Sequence, residues 1–108
     1  MNKFEAVLLL SPDISSTLLK KEIDAFLGII SSNEGKIINE EDWGLRDLSY
    51  KIANHKKAFY QFFQIELIGS KIQVIKKSLS QNDKILRHLF VKVEDHQELP
   101  TKLQNEKK

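Results

Sequence analysis

The chain contains no cysteine, which excludes disulfides and thiolate-held metal and agrees with a reducing cytoplasm. It also lacks a long apolar run: nothing approaches the roughly 18 residues of a membrane span. Its opening, Met1-Asn2-Lys3-Phe4-Glu5, sets an acid where a signal peptide needs an uninterrupted apolar stretch. A soluble cytoplasmic protein is the expectation. The glycines, Gly28, Gly35, Gly44 and Gly69, are isolated, so no glycine-rich loop exists to cradle a phosphate. Ser31 and Ser32, like Ser78 and Ser80, fall near helix ends without a nucleophile motif. His55, His88 and His96 have no metal-ligand spacing and no acid placed to complete a set. The chain thus offers no catalytic residues, no metal site, no cofactor site and no small-molecule substrate site. Charge of one sign is missing too. Seventeen Lys and Arg stand against 15 Asp and Glu, a net +2, too weak a bias to mark a nucleic-acid protein by itself.

What is present in 108 residues suits one domain with one core. Residues 3–10 carry Phe4, Ala6, Val7, Leu8, Leu9 and Leu10, the near-continuous apolar character of a strand covered on both faces. Ser11-Pro12-Asp13 breaks it, Ser15 or Ser16 offers an N-cap, and Leu19, Ile23, Phe26, Leu27 and Ile30 recur at helical steps. Gly35 is placed to supply the left-handed turn after this helix. Residues 36–52 read as extended, with Gly44 marking a bulge or bend. A polar connector over 53–57 leads to an aromatic-rich strand over 59–68, making a hairpin with a basic tip. Ser70 and Gln73 have capping-box spacing and open a helix with Ile72, Ile75 and Leu79 on one face. Residues 85–93 form the last strand, and residues 94–108 read as a flexible polar tail.

The order is β-α-β-β-α-β, the split βαβ arrangement of an α+β ferredoxin-like domain over residues 1–93. Right-handed crossovers give a four-stranded antiparallel sheet of order 4-1-3-2 with both helices on one face. Phe63 and Ile65 then point to one side of the sheet, Tyr60 and Phe62 to the other. An open face carrying aromatic residues calls for a partner.

Lys3, Arg46, Lys51, Lys56, Lys57, Arg87 and Lys92 fall on strands and a hairpin tip that surround this sheet, so RNA phosphate contact is one reading. Protein contact is the other. The third strand has aromatics, Phe59-Tyr60-Gln61-Phe62-Phe63, but not the glycines of the common four-stranded RNA reader. Glu40, Glu41 and Asp42 imitate a carboxylate pair, yet an acidic edge that discourages stray strand pairing explains them as well. From residues alone, a protein-interaction or small-ligand regulatory module stays open. A hydrolase on this scaffold needs an Arg and an Asn in the first loop, and Leu10-Ser11-Pro12-Asp13 supplies neither.

One stretch is more specific. Gly44-Leu45-Arg46-Asp47-Leu48-Ser49-Tyr50-Lys51-Ile52 resembles the signature of the bacterial small-subunit ribosomal protein six family. Phe4-Glu5, Ser11-Pro12, Trp43-Gly44, Ile85-Leu86-Arg87 and Val91-Lys92 are similar to the family at their places, covering roughly residues 3–93. The resemblance implies a non-enzymatic ribosomal protein that binds the central domain of small-subunit ribosomal RNA as a cooperative heterodimer with small-subunit protein eighteen. It assigns motif positions to Arg46, Tyr50 and Lys51, and last-strand positions to Arg87 and Lys92. Lys3, Lys56 and Lys57 join the RNA or partner contacts on charge grounds. Tyr50, beside Leu48 and Ile52, is expected to pack the hairpin.

Overall fold

The structure, a computed structural model, describes residues 2–52 and 54–96. Strand β1 (Asn2–Leu10) leads to helix α1 (Ser16–Ser32), the hairpin strands β2 (Lys36–Ile52) and β3 (His55–Leu67), helix α2 (Ile72–Ser80) and strand β4 (Ile85–Val93). The strands are antiparallel in the order β2-β3-β1-β4, the order expected from right-handed crossovers. Both helices cover one face. The polar tail expected over 94–108 lies, after His96, outside the described residues.

Alternation along the strands divides the side chains. Phe4, Ala6, Leu8 and Leu10 of β1 and Phe63, Ile65 and Leu67 of β3 point to the helices, where they meet Phe26 and Ile30 of α1 and Ile72, Ile75 and Leu79 of α2. Phe26 is the hinge of this core, with its ring 4.7 Å from Phe63 and 6.3 Å from Phe90. Such tilted contacts add to the area the rings bury. Lys3, Glu5, Val7 and Leu9 of β1 point the other way, paired across to Glu66, Gln64, Phe62 and Tyr60 of β3 and to Val93, Val91, Leu89 and Arg87 of β4.

Four local details depart from expectation. Ser15 caps α1 by accepting from the Leu18 amide, but the left-handed residue after the helix is Glu34, at φ 65°. Gly35 serves close approach instead: a Cβ there would come within 2.7 Å of Ile30 Cγ2 and 2.8 Å of Leu67 Cδ1. The connector is shorter than expected, because Ile52 pairs with His55 and β3 takes in His55, Lys56 and Lys57, with Asn54 left-handed at φ 67°. Ser70 forms no capping box. A 3-10 turn over Gly69–Lys71 runs straight into α2 without a side-chain cap, so the Ile72, Ile75 and Leu79 burial holds this short helix in place.

Candidate functional site: the open sheet face

The bulge at Gly44 builds the site. Asp42 pairs with Gln61 and Gly44 with Tyr60, leaving Trp43 as the extra residue. Gly44 takes φ 77° there, a conformation open to glycine at little cost, and its amide donates to Asp42 Oδ1 at 2.7 Å. The result turns Trp43 onto the open face. Its ring lies nearly parallel to Phe62, with centroids 5.1 Å apart, and 6.4 Å from Tyr60. Trp43 Nε1 donates to Glu41 Oε1 at 2.9 Å, and Arg46 Nε donates to the Trp43 carbonyl at 3.0 Å. Trp43 is therefore a lid. Phe62 is buried although it lies on the face without helices.

Past Asp47 the regular pairing of β2 with β3 stops and resumes only at Ile52. Leu48, Ser49, Tyr50 and Ile52 wall a small hollow of about 100 Å³ with Leu9, Tyr60 and Arg87. Tyr50 thus reaches β4, the far edge of the sheet. Its ring sits under the Arg87 guanidinium, 5.4 Å from centroid to Cζ, and Arg87 donates to its hydroxyl. A cation over an aromatic face is held by the ring quadrupole, about 0.5–1 kcal/mol at exposed sites. Tyr50 nevertheless stays 59% exposed. It does not pack the hairpin interior as expected; it forms a platform beside Arg87.

The eight candidate residues divide by position. Arg46, Tyr50, Lys51, Lys56, Lys57 and Arg87 gather at the hairpin end of the domain. Lys57 is already near Asp47, at 3.8 Å, whereas Arg46 keeps one buried terminal nitrogen, Nη2, without a partner among the described residues. Lys3 and Lys92 stand at the opposite end. Lys3 pairs in register with Val93 and is 3.3 Å from Asp95, and Lys92 lies opposite Phe4 on the side the helices cover. The sheet does not bring these two to the others.

Sequence reasoning missed the apolar half of the site. Leu89 and Val91 of β4 point to the open face and remain 57% and 47% exposed, opposite Val7 and Glu5 of β1. The signal was there in the alternation Arg87, Leu89, Val91, Val93 against His88, Phe90, Lys92, but only the edge position of β4 makes the first set exposed. At the far end a polar strip crosses the sheet: Asn39 donates to Gln64, and Gln64 donates to Glu5, with His96 Nδ1 3.8 Å from Glu5. On the helix side of β4, partial burial and the neighbouring Lys76 push the His88 imidazole below its ordinary range. Among the described residues no group of three or more His, Cys, Asp and Glu is placed to hold a metal ion, and no helix is long and apolar enough to cross a membrane.

The domain is ferredoxin-like, with helices on one face and an open face that bears a cation-aromatic cluster beside exposed aliphatics. Residues 3–92 match the model of the family described as Ribosomal protein S6. Among similar proteins, the small ribosomal subunit protein bS6 of Rickettsia felis is 33% identical over 103 residues, covering 95% of this chain and 85% of its own length. That of Orientia tsutsugamushi is 37% identical over 95 residues, covering 88% of this chain and 80% of its own. The chain belongs to the ribosomal protein S6 family. The crystal structure of 30S ribosomal protein S6 from Thermotoga maritima superposes with a TM-score of 0.82 at 18% identity, covering 85% of this chain and 87% of that one, which bears on the fold.

Proposed function

We propose that the chain is a structural constituent of the small ribosomal subunit in the cytoplasm, without catalytic activity, and that it binds the central domain of small-subunit ribosomal RNA cooperatively, as a heterodimer with small-subunit protein eighteen. Membership of the ribosomal protein S6 family carries the ribosomal part of this reading. The division of labour is argued from the open face. Leu89, Val91 and the Tyr50 ring are the apolar area left uncovered there, which suits burial against a protein. Arg46, Lys51, Lys56, Lys57 and Arg87 rim that area at the hairpin end and take RNA phosphate or acidic groups of the partner. Lys3 and Lys92, at the other end, make a separate and smaller contribution.

Few cations are clustered and Asp47 lies 3.8 Å from Lys57, so the affinity of this protein alone for RNA is weak and its salt dependence shallow. The pair binds more tightly than the sum of its parts, with coupling of about 1–3 kcal/mol. Filter binding of a central-domain RNA fragment by the protein, by the partner and by both, across a salt series, tests this. Equal affinity for the protein alone and for the pair would refute cooperative binding. Failure to sediment with the small subunit would refute the ribosomal assignment itself.

A further inference from the structure

The helix-covered side holds a groove at its edge that the open face does not explain. It runs between α1 and β2, with a volume of about 310 Å³, at the small end of pockets that receive discrete groups. Two rows of α1 line it at steps of four: Leu19, Ile23 and Leu27 in one, Ser16, Lys20 and Asp24 in the other. The opposite wall is β2. Glu40 and Asp42, two residues apart, both point to the helix side, as their register partners Phe63 and Gln61 do, while Glu41 turns to the open face and takes the Trp43 indole hydrogen. The acidic run is thus split by the pleat, and two of its three carboxylates enter the groove. With Asp24 they make three carboxylates against the single ammonium of Lys20.

An acidic lining alone marks no site, but Gln61 adds a second observation. Gln61 lines the groove and is only 5% exposed, and its carboxamide has no hydrogen-bond partner among the described residues. Gln64, three residues on, shows the usual alternative, since it is buried and bonded on both sides to Asn39 and Glu5. The Gln61 amide is not among the fully buried groups that lack a partner, so it opens into the groove and is free to pair with an occupant. That occupant must offer both a donor and an acceptor, because a carboxamide has both. It must carry positive charge for the rim and apolar stems for the Leu19 row.

We propose that this groove docks a short basic peptide segment of a neighbouring protein, with a main-chain amide paired to Gln61 and Lys or Arg side chains reaching Asp24, Glu40 and Asp42. A nucleic acid is repelled by the rim, and a free polyamine has donors but nothing for the Gln61 amide hydrogens. The groove lies on the opposite side of the sheet from the surface assigned above, so the docking is a second contact and stands independently of that reading.

The test uses the full chain and an N-acetylated, C-amidated Lys-Leu-Arg-Lys-Leu-Arg peptide, followed by NMR. Shifts are expected in the methyls of Leu19, Ile23 and Leu27 and in the Gln61 carboxamide. The double variant Asp24→Asn with Glu40→Gln, both exposed positions, weakens binding roughly fivefold or more. Gln61→Met keeps the side-chain length, holds or raises the melting temperature and also weakens binding. Three results would each overturn the proposal: shifts confined to the open face, unchanged affinity in either variant, or spermidine competing as well as the peptide binds.

Discussion

The two faces of the sheet are made from the same strands, yet they solve different problems. On the helix side, α1 and α2 bury Phe63, Ile65 and Leu67 completely, and packing at near-crystal density leaves little freedom for substitution. On the open side the covering is thinner: Trp43 stacks over Phe62 in the β2-β3 half, and Tyr50 with its neighbours in β2 walls a small hollow beside Leu9. The β1-β4 half keeps Leu89 and Val91 in solvent. Most of the buried core therefore lies on one face and the proposed contact surface on the other, and Gly44 joins them, because its bulge sends a core-sized aromatic to the open side.

Substitution on each face can break this comparison. The largest effect is expected at Phe63→Ala, which leaves a cavity against Phe26 and costs about 3–5 kcal/mol in denaturant unfolding; a loss below 1 kcal/mol would show that the helix face does not dominate stability. Gly44→Ala is next. At φ 77° a Cβ costs about 1–2 kcal/mol, and because the bulge moves Trp43, a rise in tryptophan fluorescence wavelength accompanies it. Tyr50→Ala removes an exposed ring and its Arg87 contact, so stability falls by about 0.5–1 kcal/mol while assembly with the partner weakens further; equal losses in both would place Tyr50 with the core. Leu89→Ser changes stability by no more than about 0.5 kcal/mol and is read in the partner-binding assay, where unchanged affinity would remove β4 from the interface.

The smallest effect is a pH dependence. The His88 imidazole titrates below its ordinary value of 6.5 through partial burial and Lys76, so between that lowered value and 6.5 the unfolded chain holds a proton that the folded chain does not. Stability from this group is fully present above pH 6.5 and is lost as pH falls through the folded value. A His88→Gln variant should lose less stability than the parent over that acidic window, as thermal melts at a series of pH values would report.

Much of the architecture could be read from periodicity. The 3.6 step of Leu19, Ile23, Phe26 and Ile30 and the apolar run of β1 are local patterns, and the handedness of crossovers converts their order into one sheet. The cap at Ser15 and the bulge at Gly44 were legible because each depends on one residue's chemistry. The Ser70 capping box was not realised, since a 3-10 turn and three buried aliphatics hold α2 without it. The left-handed residue at Glu34 was hidden because Gly35, the obvious candidate, was needed for its lack of a side chain against Ile30 and Leu67.

Alone, the amino-acid order determined the sheet order, the side to which Phe63 and Phe62 point and the family signature in residues 44–52, all of which follow from local geometry repeated along the chain. Only the tertiary structure decided that Trp43 stacks over Phe62 on the open face, that Tyr50 meets Arg87 across the sheet, that Lys92 turns away from the other cations, and that Gln61 opens into an acidic groove. Each of these depends on which strand lies beside which and where a register slips by one residue. A slip redirects side chains between faces, and contacts between residues distant in the chain carry no local pattern from which to foresee them.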